Sequence, residues 1–186
     1  MKAVLMSIRA EICKTIFHRW TKRLEYRTRF NKDFKGKIFV YESGADGSHK
    51  VIGAFDAGYI VRDSADEGIS EQDEKFLETL DKKTLEQYEK IVADKDVLYA
   101  IEIKNVRRYR EPLTLREFCI SNANQTVTRP PQSWQYIDII TNDLEPAFEF
   151  VNLEEVVTIV EDEGEQQQGE YNEPTPKDSS SHIAPH

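Results

Sequence analysis

Hydrophobic positions along the chain fall into short runs whose spacing alternates between the strand period of two and the helical period of 3.6. "AVLMSI" is a brief apolar run of the kind that makes a buried strand, and "AEICKTIFHRW" follows with Ile12, Ile16 and Phe17 spaced for one helical face. In "KRLEYRTRF" Leu24 and Tyr26 alternate with Arg23, Glu25, Arg27 and then Arg29. A strand sends alternate side chains to opposite faces, so this one is expected to bury the apolar pair and raise a row of arginines broken by one carboxylate. "GKIFVYES" is apolar at both parities and reads as a central strand, with "GADGS" as the following turn. "HKVIGAFDAGYIV" returns as a long strand in which Gly53 and Gly58 permit bends or bulges.

From Asp63 to Asp96 the pattern becomes polar and helical. "SEQDEKFLETL" opens with Ser70 three residues before Asp73, an N-cap arrangement, and carries Phe76, Leu77 and Leu80 on one face. "KKTLEQYEKIV" repeats that pattern with Leu85, Tyr88, Ile91 and Val92. "VLYAIEIKNVRRY" resumes the strand pattern, Pro112 is expected to interrupt it, and "LTLREF" reads as a helical turn or two. "RPPQSWQYI" is barred from helix by its prolines and is too aromatic for a free linker, so it is expected to pack as an extended segment. "PAFEFVNLEEVVTIVE" mixes the two periods and is read as a final short element docking on the core. The fold class expected is α+β: one mixed domain over residues 1–160, and neither an all-helical bundle nor a doubly wound parallel sheet.

Composition sharpens this in three ways. A chain of 186 residues, 39% of them hydrophobic, can bury one compact core. No apolar run approaches the roughly 20 residues needed to cross a bilayer, and "MKAVLMSI" is too short for a secretory signal. A soluble cytoplasmic protein with no membrane partner is expected, which suits Cys13 and Cys119 as core thiols without a disulfide framework. Residues 161–186 are polar, carry 7 Asp/Glu against 1 Lys/Arg and hold almost no aliphatics, so they are expected to form a disordered acidic tail.

The net charge of -9 argues by itself against a nucleic-acid partner, yet it conceals a segregation. Residues 1–37 hold 11 Lys/Arg against 3 Asp/Glu, whereas residues 63–96 hold 5 against 12. That distribution is compatible with a polyanion site on one face and equally with basic and acidic segments pairing inside the molecule. Common catalytic signatures are missing. The four histidines lie far apart without metal-ligand spacing, and no GxGxxG, GxxxxGK[ST] or GxSxG occurs, so neither a metal nor a cofactor is expected.

Three pieces read in order resemble the ASCH domain family: "VLMSIRAEICKTIF", the spacing Lys22, Glu25, Arg27 (K-x-x-E-x-R), and "YAIEIKNVRRYREPLTLREF" with "RPPQSWQYI" beyond it. The resemblance runs from about Lys2 to about Ile140. In many members the motif is G-x-K-x-x-E-x-R; here the glycine position holds Trp20. Glycine permits a tight turn with positive φ and tryptophan does so only at a cost, so this corner is expected to be shaped differently, with the ring partly covering the cleft. The resemblance implies a PUA-like β-barrel with flanking helices and a basic cleft beside the first helix that meets RNA or a modified nucleotide, with no DNA expected.

Within that frame the expected ligand-binding residues are Lys22, Arg23, Glu25, Arg27, Arg29 and Trp20. Arginine's planar fork suits phosphate oxygens. Glu25 holds an arginine or accepts from a base edge. The bland alternative for Lys22, Glu25 and Arg27 is a surface salt-bridge ladder worth about 0–1 kcal/mol per pair. Arg107, Arg108 and Arg110 extend the basic surface on another strand. Three function classes stay open: an RNA- or nucleotide-binding module; a hydrolase acting on acylated nucleosides or on RNA, for which Lys22 and Glu25 are the catalytic candidates; and a protein-interaction module.

Overall fold

The computed structural model describes residues 2–121, 123, 125–138 and 150–152. Helix α1 (Ala10–Phe17) leaves strand β1 (Lys2–Arg9) directly, and strands β2 (Leu24–Arg27), β3 (Lys37–Ser43) and β4 (Val51–Ser64) follow. Helices α2 (Glu71–Leu77) and α3 (Lys82–Val92) precede the long β5 (Val97–Leu113). A 3-10 turn over Leu115–Glu117 leads to β6 (Cys119–Ile120), β7 (Gln125–Thr126), β8 (Trp134–Asp138) and β9 (Phe150–Asn152). The architecture is a mixed sheet with helices, α+β as expected. The acidic segment 161–186 and most of "PAFEFVNLEEVVTIVE" lie outside the described residues.

The strands run in the order β2-β5-β4-β3-β1-β8-β6-β7, with β9 added to β5. Among the described residues only β1 and β3 pair in parallel, Val4 opposite Ile38 and Ser7 opposite Tyr41. Both strands are covered on both faces, which is why their apolar residues are continuous. Val4, Met6, Ile8, Ile38 and Val40 face a core that includes Cys13, Ile16 and Phe17 of α1. The opposite parity, Ala3, Leu5, Phe39 and Tyr41, packs on Tyr109, Leu113, Phe118 and Val127. A third cluster seats α2 and α3 on the β2 end through Leu24, Val61, Leu77, Tyr88, Leu98 and Ala100. Ser70 and Asp81 cap those helices by accepting the Asp73 and Thr84 amides.

The sheet is strongly curled. Four inter-strand steps separate β2 from β1, about 19 Å if the sheet were flat. Yet the Arg27 guanidinium of β2 donates a 3.0 Å hydrogen bond to the Ser7 carbonyl of β1. Backbone pairing does not complete the ring of strands among the described residues, because β1 is already paired on its other edge with β8. Side chains bridge that seam instead.

Two sequence expectations change. Pro112 does not end β5, which continues to Leu113 with Leu113 paired opposite Val51. Past Tyr109 the described strands pair with β5 only on its β4 side, so a residue without an amide hydrogen fits there. The glycines of β4 act through close contact as well as through bending. A Cβ on Gly53 would collide with the Arg107 carbonyl oxygen and stand 2.6 Å from Phe17 Cε1. Gly53→Ala should therefore push α1 off the sheet and lower stability by about 1–3 kcal/mol, read as a reduced midpoint in urea. An unchanged midpoint would show that this contact relaxes without cost.

Candidate functional site

The corner between α1 and β2 is built on the end of the helix. Thr15 carbonyl oxygen accepts hydrogen bonds from the amides of Thr21 (3.0 Å) and Lys22 (3.3 Å), and Lys14 carbonyl accepts from those of His18 and Arg19. Folding the chain back this tightly needs one residue in the left-handed region, and Trp20 supplies it with φ 52°. The expectation that tryptophan would reshape the corner is thus overturned. The glycine-like conformation is kept at a cost of about 1–2 kcal/mol for a non-glycine residue. Trp20 as a whole residue is left 36% exposed.

This corner delivers Lys22 to the inner side of β2, where Glu25 and Arg27 also point. Their side chains are 9, 5 and 15% exposed respectively. Glu25 Oε1 accepts from Arg27, while Lys22 Nζ stands 3.5 Å from Glu25 Oε2 and 4.8 Å above the Tyr26 ring. Arg27 further donates to the carbonyls of Tyr26 (2.8 Å) and Ser7 (3.0 Å). Ser7 in turn is fixed by the proline-rich segment, its hydroxyl donating to Pro131 carbonyl (2.7 Å) and its amide to Ser133 carbonyl (3.0 Å). The two separate motifs of the sequence therefore meet at Ser7.

The expected row of exposed arginines is not formed. Arg23 and Arg29 are exposed as anticipated, but Glu25 and Arg27 are enclosed. A surface ladder is likewise replaced by a buried charge cluster, a different energetic object, because burial withdraws the water that screens exposed pairs. Lys22, off parity by spacing, joins the cluster because the Trp20 turn precedes the strand. Burial pushes the Lys22 ammonium below its ordinary value, Glu25 pulls it back up, and Arg27 pushes it down again. Burial also pushes the Tyr26 phenol up. Cys13 lies close enough for Glu25 to help raise its thiol, after burial itself, so it is an inert core group.

Among the described residues two buried polar atoms here lack hydrogen-bond partners, Glu25 Oε2 and Arg27 Nε, and the buried Tyr26 hydroxyl, on the other parity of β2, lacks one as well. The Lys22 ion pair is too long to satisfy Oε2 as a hydrogen bond. Such groups are rare in folded proteins, and ordered water, an ion, a ligand or local strain each account for them.

Trp134 stands away from this cluster. Its indole donates to Arg29 carbonyl (2.7 Å) and packs edge-on to Phe30 and Tyr136, holding the strand's exit rather than offering a free ring. Arg107, Arg108 and Arg110 lie on β5, where Arg108 pairs with Gly53 and, with Lys14, adds to the burial that holds His18 below its ordinary value. Sequence reasoning missed Ser7 and the burial of Glu25 and Arg27. Among the described residues no group of His, Cys, Asp and Glu is placed to hold a metal, and no helix is long and apolar enough to cross a membrane.

No family model and no curated protein matches the chain. Among solved structures it is similar to ASCH from Zymomonas mobilis, at 19% identity and a TM-score of 0.45 over 86% of this chain and 94% of that one. Two point mutants of the same protein give TM-scores of 0.46 and 0.44 at 19% and 18% identity, covering 87% and 86% of this chain and 98% and 94% of theirs.

Proposed function

We propose that this chain is an ASCH-type module, its curled sheet of PUA type, which binds one nucleotide-like unit, free or at an accessible position of an RNA, at Lys22, Glu25 and Arg27. The observation that carries the reading is the buried cluster itself. Two cations and one carboxylate leave a surplus of positive charge when Lys22 is protonated, and orphaned donor and acceptor atoms lie beside it. A ligand offering an anionic group and a hydrogen-bonding edge would offset both defects. Enclosure favours a single small unit over a long backbone lying in an open groove, and the exposed Arg23 and Arg29 are left to meet a flanking phosphate.

One observation favours hydrolysis of an acylated nucleoside as a second reading. Desolvation holds the Lys22 ammonium below its ordinary value beside the Glu25 carboxylate, so its neutral amine is more accessible for taking a proton from water or attacking an acyl carbon. Both readings are tested by incubating the full chain with short RNA and a panel of modified nucleosides and nucleotides, followed by mass spectrometry of bound and converted species. Bound but unchanged nucleotides support the module; loss of an acyl group supports the hydrolase; neither binding nor conversion overturns both.

A further inference from the structure

The side chains of Lys22, Glu25 and Arg27 are enclosed, so a ligand reaches them only if part of the fold gives way. The place with least to hold it is the seam between β1 and β2. Among the described residues β2 pairs only with β5, through four residue pairs, and β1 already has partners on both edges, so no backbone ladder closes the seam. One hydrogen bond joins the two strands there, from the Arg27 guanidinium to the Ser7 carbonyl oxygen (3.0 Å). Opening a ladder breaks several bonds together, whereas this seam parts for the loss of one. The other bonds of Arg27, to Glu25 and to the Tyr26 carbonyl, lie within β2 and travel with it. Ser7 is held from the far side, its hydroxyl and amide donating to the carbonyls of Pro131 and Ser133. That leaves β1 as the fixed side of the seam and β2, held on one edge, as the side that moves.

We infer that the β1–β2 seam is a gate latched by Arg27 on Ser7, and that ligands enter the charged cluster through it. An anionic group binds a guanidinium more strongly than a neutral carbonyl does, so it competes with Ser7 for Arg27. The residue that meets the ligand is then also the one that releases the seam. This rests on the function proposed above and adds how an enclosed site is reached. Cys13 is a built-in reporter of the gap. It is 1% exposed, and its thiol faces the Ile8 carbonyl of β1 at 3.6 Å. It also lies close enough to Glu25 of β2 for that carboxylate, after burial and Glu42, to raise the thiol.

The test is labelling of the full chain with iodoacetamide at fixed pH and at urea concentrations below the unfolding transition. Peptide mass spectrometry separates the Cys13 adduct from that of the half-buried Cys119. Labelling of Cys13 through the gate should depend on urea far less steeply than unfolding does, because a local opening exposes little surface. Arg27→Met should speed it about 10- to 150-fold, the loss of one charge-assisted bond. Ser7→Ala frees β1 from Pro131 and should speed it about 2- to 10-fold. Neither side chain bonds to α1 among the described residues, so shallow labelling at the native rate in both variants would mean that the helix frays, and the gate is overturned. Labelling that only follows unfolding, in the native chain and in Ser7→Ala, overturns it too, even if Arg27→Met does not fold. Equilibrium dialysis against cytidine 5′-monophosphate is scored separately. Binding to a chain whose Cys13 never opens keeps the site and overturns the gate, while an opening seam in a chain that binds no nucleotide supports the gate and overturns the site.

Discussion

Replacing Glu25 with leucine is expected to cost about 3–5 kcal/mol of stability, the largest effect of any single substitution in the cluster. Glu25 is the countercharge for two enclosed cations, Lys22 and Arg27, whose side chains are 9 and 15% exposed. Removing it leaves both charges in a poorly hydrated interior. Lys22 can escape by losing its proton, since burial and Arg27 already push its ammonium down. Arg27 has no such escape, because guanidinium stays protonated in proteins. Two hydrogen bonds to the carbonyls of Tyr26 and Ser7 remain to it, so its head group stays fixed and uncompensated rather than swinging into water. Glu25→Gln keeps the shape and an acceptor for Arg27 and should lose less. Urea denaturation of the three proteins measures the difference. A loss under about 1 kcal/mol for Glu25→Leu would return the cluster to the class of exposed ion pairs.

What could be read from the sequence, and what could not, divides along the range of the interactions involved. Local periodicity placed β1, α1, β3, β4, α2 and α3, and the Ser70 cap formed as its spacing required. Alternation in "KRLEYRTRF" correctly put Leu24 and Tyr26 on one side, toward the third hydrophobic cluster. The error lay in the other side. Parity says which residues share a face but not whether that face is covered. Here α1 and β1 enclose it because the sheet curls over four strand steps, a consequence of twist, bulges and packing far away in sequence. Trp20 shows a preference overruled by a constraint. Its dislike of positive φ is worth 1–2 kcal/mol by order of magnitude, whereas abandoning the turn would forfeit the helix-end bonds at Thr15 and the placement of Lys22. Pro112 was misread for a related reason, since a proline breaks a strand only where its missing amide hydrogen is needed.

Lys22→Met should separate binding from stability in the opposite sense to Glu25→Leu. Methionine fills a similar volume without a charge, and Glu25 keeps Arg27 as its partner, so no ion is orphaned. Because the folded state holds the Lys22 ammonium below its ordinary value of 10.5, the native chain bears a charging penalty at neutral pH. Between the folded value and 10.5 the unfolded chain binds more protons than the folded one, so native stability rises with pH across that window and the penalty is gone above it. The variant lacks that rise. Its melting temperature should match or exceed that of the native chain at neutral pH, and the gap should close as pH approaches 10.5. Affinity for a nucleoside monophosphate should nevertheless fall about 10- to 150-fold, the loss of one charge-assisted contact. Native affinity should itself weaken as pH rises through the folded Lys22 value, while the residual affinity of Lys22→Met should not follow that titration. A variant that melts as far below the native chain as Glu25→Leu would make Lys22 a structural counter-ion. Unaltered affinity in a stable Lys22→Met protein would remove it from the site.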